Sequence, residues 1–393
     1  MVLKIMVDDY PIVLHIPDHP FYIGLIDQVT VSDVPISLPF TLQVDSRYAV
    51  PRLQMTDEIR GALDLAYKMG SFCSTPLGES RLAAARMDEI INKILFLFDG
   101  DISGKTFLEI GCGNGELLYQ LKLHGACVTG LEIGPQAELV EQRYHIPVVR
   151  SYLDGKTFGT PFDCIYSYGC LEHIDDLDVF FAACRACLKP GGLFLHSVPN
   201  AALSFDKVHL DHLLHEHINY FTPANGYALM GAQGFRSGSF VVSKAGNELM
   251  LWGYLDPNFE PRWPYERIHQ EVAFLSTYTS QLFRKIEQNF QGLQRVLDTG
   301  KTLGFYAGGY EYGYRLCHSK IRYFDGDEYK HGKRWLAGFP EIEAPSALSN
   351  LLVDVLVVFK PHYFKAICDT LCELGVAPES ILSIDSLSDL AVN

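Results

Sequence analysis

The chain has few basic residues, no long apolar run and no cysteine near its start. It carries 32 Lys and Arg against 47 Asp and Glu, which gives a net charge of −15. Because phosphate backbones are bound by clustered Lys and Arg, this balance argues against nucleic acid as a partner. No stretch of about 20 apolar residues occurs, and the N-terminus lacks a basic-then-apolar signal. We therefore expect no membrane span and a cytoplasmic protein.

Cysteine usage excludes a disulfide framework and gives little support for zinc. The ten cysteines are scattered, mostly through predicted helices and strands, and residues 1–70 contain none. This distribution is typical of reduced thiols in a core. One Cys-x-x-Cys, at Cys184 and Cys187, lies inside a predicted helix without a second pair, so we interpret it as packing. With 393 residues, 48% of them hydrophobic, the chain predicts two or three domains.

A glycine-rich turn is the most informative segment. Residues 108–115 read Leu-Glu-Ile-Gly-Cys-Gly-Asn-Gly after a short apolar run. Glu132 follows about 20 residues later, where an acid can accept hydrogen bonds from ribose hydroxyls. No Lys or Arg begins the next helix and Glu109 adds a negative charge, which favours a cationic ligand over a dinucleotide. The segment resembles motif I of class I S-adenosylmethionine-dependent methyltransferases, which implies that cofactor. The implied cofactor-binding residues are Glu109, Gly111, Gly113, Gly115 and Glu132.

The following segments continue the landmarks of that family. Residues 162–169 have the pattern of a central parallel strand, 177–188 form an amphipathic helix, and 188–195 turn into another strand. Repeated strand–turn–helix units predict a doubly wound, Rossmann-like α/β core with ligands beyond the carboxyl ends of the strands. We interpret Glu172 and His173 as part of the cofactor pocket wall, without a role in the chemistry.

Four parts are predicted along the chain. A β-rich N-terminal segment precedes the methyltransferase core and its acceptor loop, and a linker with a long helix leads to a smaller C-terminal Rossmann-like α/β domain. The predicted boundaries are 1–70, 71–245, 246–300 and 301–393. A second domain of this kind more often shapes an acceptor pocket than binds a second cofactor. The N-terminal segment either covers the acceptor site or mediates self-association into a homo-oligomer.

The segment 209–223 is unusually rich in histidine. Four histidines and two acids occupy the nine positions 209–217. A metal site built from His209, His212, His215 or His217 is disfavoured because these residues alternate faces, so we predict no metal. Packing and capping explain Thr222-Pro223, which would start the next helix. The remaining interpretation is general-base chemistry, since a His beside a Glu titrates near neutral pH.

The sequence His-Glu-His-x-x-Tyr-Phe at 215–221 sharpens that interpretation. Located after a methyltransferase core and before a second α/β domain, it resembles the sugar C-methyltransferases that act on nucleotide-linked 4-keto-deoxyhexoses. Residues 323–333 resemble the C-terminal part of the same family. The resemblance implies that His217 removes the proton next to the ketone, with Glu216 as its partner and His215 as a further catalytic residue. The implied substrate-binding residues are Asn219, Tyr220, Tyr310 and Glu311.

This chain departs from that family at three places. The family's paired-cysteine zinc unit cannot form in residues 1–70, and its Tyr before His-Glu-His is Leu214 here. The second glycine-rich turn continues with Tyr310, Glu311 and Tyr312, where the family has Ala and Lys. These departures leave open whether the acceptor is the family's usual deoxythymidine-diphosphate sugar or another one.

The sequence thus predicts methyl transfer to a small acceptor. The first expectation is C-methylation of a nucleotide-linked keto-sugar in carbohydrate biosynthesis. The alternative is O-methylation of a sugar or another small natural-product or polysaccharide precursor. Two other classes stay open: a scaffold that retains the cofactor fold without chemistry, and a dinucleotide-dependent oxidoreductase or epimerase. The intact turn with Glu132 argues against the first, and Glu109 argues against the second.

Overall fold

The computed structural model contains three β-sheets joined by helices. It describes residues 12–22, 24–26, 34–45, 47–68, 77, 81–207, 213–242, 247–256, 258–259, 265–317, 319–349, 353–376 and 381–391. The histidines at 209 and 212, and most of the Pro-rich linker after residue 256, lie outside these residues. Within the described part of the chain, no helix has the length and apolarity that crossing a membrane requires.

The N-terminal segment forms a three-stranded antiparallel sheet followed by a helix. The strands, in the order β1-β2-β3, are β1 Ile12–Pro20, β2 Ser37–Asp45 and β3 Val50–Leu53, and the helix is α1 Asp57–Lys68. Buried side chains of β2, such as Phe40 and Leu42, pack on α1 and on a long helix described below. The apolar content of this segment is therefore buried against the rest of the molecule.

The central α/β core, which the sequence places at residues 71–245, is a seven-stranded sheet with helices on both faces. Its strands are β4 Thr106–Ile110, β5 Cys127–Leu131, β6 Val148–Val149, β7 Phe162–Tyr168, β8 Leu188–Pro199, β9 Phe235–Val242 and β10 Glu248–Leu255. Its helices are α2 Arg81–Leu97, α3 Glu116–Leu123, α4 Gln136–Tyr144, α5 Leu177–Cys187, α6 Ala201–Lys207 and α7 Pro223–Ala232. The strand order is β6-β5-β4-β7-β8-β10-β9, parallel from β6 to β8, with β10 antiparallel to both neighbours. The predicted doubly wound sheet is confirmed.

Alternating side chains of the central strand explain the two layers of helices. Phe107 is buried in a cluster on one face of the sheet, and Leu108 in a second cluster on the other face. Because successive residues of a strand point to opposite faces, a strand covered on both sides is apolar throughout. Cys184 and Cys187 are buried in the second cluster, as the packing interpretation requires.

Two helices begin as their sequences indicate. The Asp176 side chain accepts a hydrogen bond from Val179 N at the start of α5. Thr222 and Asn225 form a reciprocal capping box at the start of α7, with Pro223 at the first helical position.

The core sheet continues beyond residue 245, where the sequence placed the end of the domain. Strand β10 pairs with β8 on one side and with β9 on the other. Its residues Leu249, Met250 and Leu251 are fully buried. The segment 248–255 therefore belongs to the core rather than to the linker, because its apolar side chains fill the space between two strands.

The C-terminal domain is a five-stranded parallel sheet reached through a long helix, α8 Tyr265–Asp298. Its strands are β11 Leu303–Tyr306, β12 Ile321–Phe324, β13 Ile342–Glu343, β14 Val355–Val358 and β15 Ile381–Ser383, and its helices are α9 Tyr310–Leu316 and α10 Phe364–Glu373. The strand order is β13-β12-β11-β14-β15. Leu282 of α8 packs with the N-terminal sheet and Leu293 with this domain, so α8 joins the two.

Candidate functional site

The glycine-rich turn lies where the central strand β4 ends and α3 begins. Gly111, Gly113 and Gly115 all have left-handed backbone angles, with φ of +67°, +50° and +72°. A side chain is strained in this region, which explains glycine at each position. A Cβ on Gly115 would also lie 2.6 Å from Cγ1 of Val140, so the turn packs tightly onto α4. Gly111 remains exposed, and its backbone is accessible to a ligand.

Glu132, at the end of β5, closes this turn from the side. Its Oε2 accepts a hydrogen bond from Gly113 N at 3.0 Å, and its Oε1 accepts one from Gly134 N at 2.7 Å. The carboxylate is half-buried, and each oxygen has a second lone pair available. The structure thus places an oriented hydrogen-bond acceptor, the Glu132 carboxylate, beside the turn. The ribose of the cofactor is expected at this place from the sequence.

Glu109 lies beneath the turn rather than at its surface. It is buried, and its Oε2 accepts a hydrogen bond from the Tyr166 hydroxyl at 3.0 Å. Burial raises the pKa of Glu109 to about 8, against the effect of that hydrogen bond. This geometry supports the shape of the turn from below. Direct cofactor contact by Glu109 stays a prediction.

A short 3₁₀ turn, Leu171–His173, follows β7 directly beside the glycine-rich turn. A Cβ placed on Gly111 would lie 3.5 Å from Sγ of Cys170. The turn after β4 and the turn after β7 are therefore in contact. Glu172 is 3% exposed and His173 is half-buried. Burial raises the pKa of Glu172 to about 8 and lowers the pKa of His173 to about 4.

The acceptor loop, residues 213–222, is held between this 3₁₀ turn and the N-terminal sheet. Ile218 N and Asn219 N both donate to the Glu172 carbonyl, at 2.7 and 2.9 Å. On the other side, Leu53 N donates to Ile218 O at 2.8 Å, and Tyr220 N donates to Pro51 O at 2.9 Å. The loop therefore extends the N-terminal sheet next to β3. This contact supports the interpretation that the N-terminal segment covers the acceptor site.

Charged side chains reinforce the contact between the N-terminal sheet and the core. Arg52 bridges Asp45 on its own sheet and the Asp175 carbonyl, which follows the 3₁₀ turn. Arg47 and Tyr48 both donate to the Asp178 carboxylate on α5. These polar contacts hold the N-terminal sheet against the end of the core that carries the glycine-rich turn and the 3₁₀ turn.

Glu172, His173 and His217 converge at this point. The Nε2 atom of His173 lies 3.8 Å from Oε1 of Glu172, and the His173 and His217 rings have centroids 5.5 Å apart. Nδ1 of His173 makes a 2.7 Å hydrogen bond with the Glu216 carbonyl. His217 is half-buried, so one side of the cluster is accessible. The predicted base therefore lies next to the turn that follows β7, close to the cofactor turn.

His215 is directed elsewhere. It is fully buried among His19, Phe21 and Phe40 of the N-terminal segment, with its Nε2 3.3 Å from the Pro39 carbonyl. Burial lowers its pKa to about 3, which makes it a weak proton acceptor. This environment favours a packing role for His215, and its catalytic role stays a prediction.

Asn219 and Tyr220, predicted to bind substrate, make contacts within the protein. The Asn219 amide nitrogen donates to the carbonyls of Leu171, at 3.3 Å, and Ile174, at 2.7 Å. The Tyr220 hydroxyl donates to the Leu214 carbonyl at 3.4 Å, and both side chains are nearly inaccessible. They hold the acceptor loop in place, and direct contact with an acceptor stays a prediction.

Tyr310 and Glu311, the other two predicted substrate residues, lie at the start of α9. Both are buried. The Tyr310 ring stacks on Tyr22 at 5.0 Å and on Trp335 at 5.6 Å. Leu214 of the acceptor loop belongs to the same apolar cluster. The C-terminal domain thus packs against the acceptor loop and against Tyr22 of the N-terminal segment, and substrate binding by Tyr310 and Glu311 stays a prediction.

The sequence analysis assigned Glu172 and His173 to the pocket wall, whereas the structure brings them beside His217. Atoms of these three side chains that could bind a metal all lie within 4.8 Å of one another. Two signals were available in the sequence: a Glu-His pair immediately after a central parallel strand, and a second histidine-rich segment downstream. Their proximity depends on the folding of the acceptor loop, which sequence spacing does not reveal.

Part of the chain is similar to known proteins. Residues 82–237 match the family model described as a methyltransferase domain. A ubiquinone biosynthesis O-methyltransferase from Cereibacter sphaeroides is 32% identical over 136 residues, which cover 29% of this chain and 52% of the relative. A ubiquinone biosynthesis O-methyltransferase from Xylella fastidiosa is 31% identical over 133 residues, covering 31% and 51%. The chain spans about half the length of these curated relatives.

Part of the chain is also similar to solved structures. The N-methyltransferase NodS from Bradyrhizobium japonicum, in complex with S-adenosyl-L-homocysteine, has a TM-score of 0.36 at 18% identity, covering 46% of this chain and 91% of NodS. The magnesium protoporphyrin IX methyltransferase from Synechocystis, with the same ligand bound, has a TM-score of 0.35 at 17% identity, covering 44% and 84%. The family match, the sheet order and the glycine-rich turn with Glu132 identify residues 82–237 as an S-adenosylmethionine-dependent methyltransferase domain.

Proposed function

We propose that the whole chain transfers a methyl group from S-adenosylmethionine to a carbon of a nucleotide-linked keto-sugar, with His217 as the general base. One observation carries this proposal: His217 packs against the turn that follows β7, and that turn contacts the glycine-rich turn of the cofactor site. A base and a methyl donor at the same sheet edge are what a deprotonation coupled to methyl transfer needs.

The reaction is a direct displacement. His217 takes the proton from the carbon next to the ketone, and the resulting enolate carbon attacks the sulfonium methyl group in line. Bound at the glycine-rich turn and Glu132, S-adenosylmethionine would supply the methyl group, and the electron pair of the broken S–CH₃ bond would stay on the sulfur of the S-adenosylhomocysteine product. Most of the rate enhancement then comes from holding the two partners about 3 Å apart and from deprotonation. Glu216, whose carbonyl orients His173, and Asn219, which anchors the loop, act by positioning.

The sugar assignment rests on the resemblance of residues 215–221 and 323–333 to the sugar C-methyltransferases. The C-terminal domain supports it, because its apolar cluster includes Leu214 and thus packs against the acceptor loop. A bulky acceptor such as a nucleotide sugar needs protein contacts on a second side, which this domain would supply. Self-association and the cellular location stay predictions.

A second candidate is O-methylation, favoured by the curated relatives, which are ubiquinone biosynthesis O-methyltransferases. In that reaction His217 would remove a proton from a hydroxyl group instead of a carbon. The same cofactor geometry serves both reactions, so the identity of the acceptor separates them.

Mass spectrometry tests the proposal directly. The purified chain is incubated with S-adenosylmethionine and a panel of nucleotide sugars, including 4-keto forms, and with small hydroxylated acceptors. We expect the mass of one methyl group to be added to a keto-sugar. This added mass should remain on the sugar after mild acid removes the nucleotide. Methylation of hydroxylated acceptors alone would overturn the C-methylation proposal and favour the O-methyltransferase. A thermal-shift comparison of S-adenosylhomocysteine with NAD and NADP serves as the cofactor control.

A further inference from the structure

The cluster beside the acceptor loop has the composition of a metal site. Glu172 and His173 come from the turn after β7, and His217 comes from the acceptor loop 213–222. One ligand atom of each lies within 4.8 Å of the others. We propose that these three residues form a site for a divalent transition-metal ion such as Zn²⁺, and that the ion and the acceptor compete for His217.

The hydrogen bonding of His173 is the first support for this site. Its Nδ1 lies 2.7 Å from the Glu216 carbonyl, which can only accept, so Nδ1 must carry the hydrogen. In the neutral ring Nε2 then presents a lone pair, and this atom faces Oε1 of Glu172 at 3.8 Å. Two electron-rich atoms face each other across a gap suited to a cation. A metal-binding histidine usually donates its other ring N–H to a carbonyl or carboxylate, which fixes the orientation of the ring.

The second support is an unsatisfied oxygen. Oε2 of Glu172 is buried and has no hydrogen-bond partner among the residues that the structure describes. Glu172 as a whole is only 3% exposed. Burying such an oxygen without a partner is costly, and coordination to an ion would compensate for that cost.

The ligand set restricts which ion fits. Two imidazoles and one carboxylate suit Zn²⁺, Co²⁺ or Fe²⁺ better than Mg²⁺ or Ca²⁺, which prefer oxygen ligands. Tetrahedral Zn²⁺, with bonds of about 2.1 Å, places neighbouring ligand atoms roughly 3.4 Å apart. The 3.8 Å between the Glu172 and His173 atoms is near this spacing, and all three ligand atoms lie within 4.8 Å of one another, so binding an ion would require the three side chains to draw slightly closer. Three protein ligands leave a fourth position open.

Competition follows from the chemistry of His217. Its lone pair can bind the ion or accept the acceptor's proton, but it cannot do both at once. Filling the site would therefore inhibit methyl transfer without affecting the cofactor turn. The competition rests on the proposed function, whereas the binding of the ion stands on the geometry alone.

Cobalt binding to the full chain tests the site without any acceptor. The chain is stripped with EDTA and titrated with Co²⁺, and the visible absorption of the bound ion is recorded. We expect one bound equivalent whose spectrum lacks the thiolate-to-metal charge-transfer band that cysteine ligands would produce. Glu172→Gln, His173→Asn and His217→Asn should each weaken binding at least tenfold.

His124→Asn is the matched control, since His124 is exposed at the end of α3, away from the cluster. It should bind Co²⁺ like the wild type. Retained stabilisation by S-adenosylhomocysteine shows that each variant is folded. Unchanged binding in all three cluster variants, or a thiolate spectrum, would overturn the site.

Steady-state kinetics then test the competition, with any acceptor that mass spectrometry identifies. Zn²⁺ should raise the acceptor KM, leave kcat at saturating acceptor unchanged, and leave S-adenosylhomocysteine binding intact. Zn²⁺ inhibition that is noncompetitive with the acceptor would refute the shared use of His217. If no acceptor is methylated, the proposed function fails, and the Co²⁺ titration still decides the metal site.

Discussion

The core sheet and the C-terminal sheet each carry a glycine-rich turn after one of their inner parallel strands, and the two turns differ in what surrounds them. In the core, β4 leads through residues 111–115 into α3, and Gly111 is exposed. In the C-terminal domain, β11 leads into α9 through Gly308 and Gly309, and both are buried. A Cβ on Gly309 would overlap the ring of Phe359. The second turn is filled by the protein's own aromatic side chain.

The acids that end the neighbouring strands differ in the same way. Glu132 is held by backbone amides of the turn and keeps lone pairs for a ligand. Asp325, after β12, accepts from Lys330 Nζ at 2.8 Å and from Asp327 N at 2.9 Å, within its own loop. A repeated fold therefore does not repeat a site, because the site depends on which side chains occupy the sheet edge.

The largest expected effect concerns the acceptor side of the core. His217→Asn should lower kcat about 10²–10⁴-fold, because a positioned base contributes on that order. Cofactor affinity, measured by calorimetry with S-adenosylhomocysteine, should stay within about twofold, since the turn at residues 111–115 is unchanged. Turnover equal to that of the wild type would remove His217 from the mechanism.

The pair Glu132 and Asp325 tests whether the two sheet edges really differ. Glu132→Gln should weaken S-adenosylhomocysteine binding about ten- to a hundredfold, since a hydrogen bond to a charged group contributes about 1.5–3 kcal/mol. Asp325→Asn should leave that affinity unchanged, although it removes the ion pair with Lys330. Equal losses in both variants would contradict the contrast between the turns.

The two turn glycines provide a matched stability test. Gly115→Ala and Gly309→Ala both place a side chain at a positive φ, of +72° and +86°. Each should lower the free energy of unfolding by about 1–3 kcal/mol in urea titrations. Gly115→Ala should also weaken S-adenosylhomocysteine binding, while Gly309→Ala should not. A loss of cofactor affinity in the second variant would mean that the C-terminal turn contributes to the site.

The smallest expected effect is at Tyr310. Tyr310→Phe preserves the ring that stacks on Tyr22 and Trp335, so the fold should be unaffected. Because Tyr310 is buried, we expect the acceptor KM to change by less than about threefold. A tenfold rise in KM at constant kcat would show that its hydroxyl contacts the acceptor and would restore the substrate-binding role predicted from the sequence.

Much of the core was predictable because local signals and fold agree there. The positive φ values at Gly111, Gly113 and Gly115 are what their residue type indicates. Thr222-Pro223 starts α7, and the apolar pattern of residues 162–169 matches strand β7, as the sequence predicts. The end of the core at 245 was misplaced because strand β10 pairs with segments distant in sequence, which a hydrophobic pattern alone does not show.

The sequence by itself determined the glycine-rich turn, the alternation of strands and helices along the core and the second α/β domain, because these depend on backbone conformation and on short-range periodicity. Tertiary structure alone decided that His215 is buried in the N-terminal sheet while His217, two residues on, meets Glu172 and His173. The physical reason is that the acceptor loop is held by long-range hydrogen bonds, to the Glu172 carbonyl on one side and to β3 on the other. Those contacts, and not the spacing of the histidines, determine which imidazole lies beside Glu172 and His173.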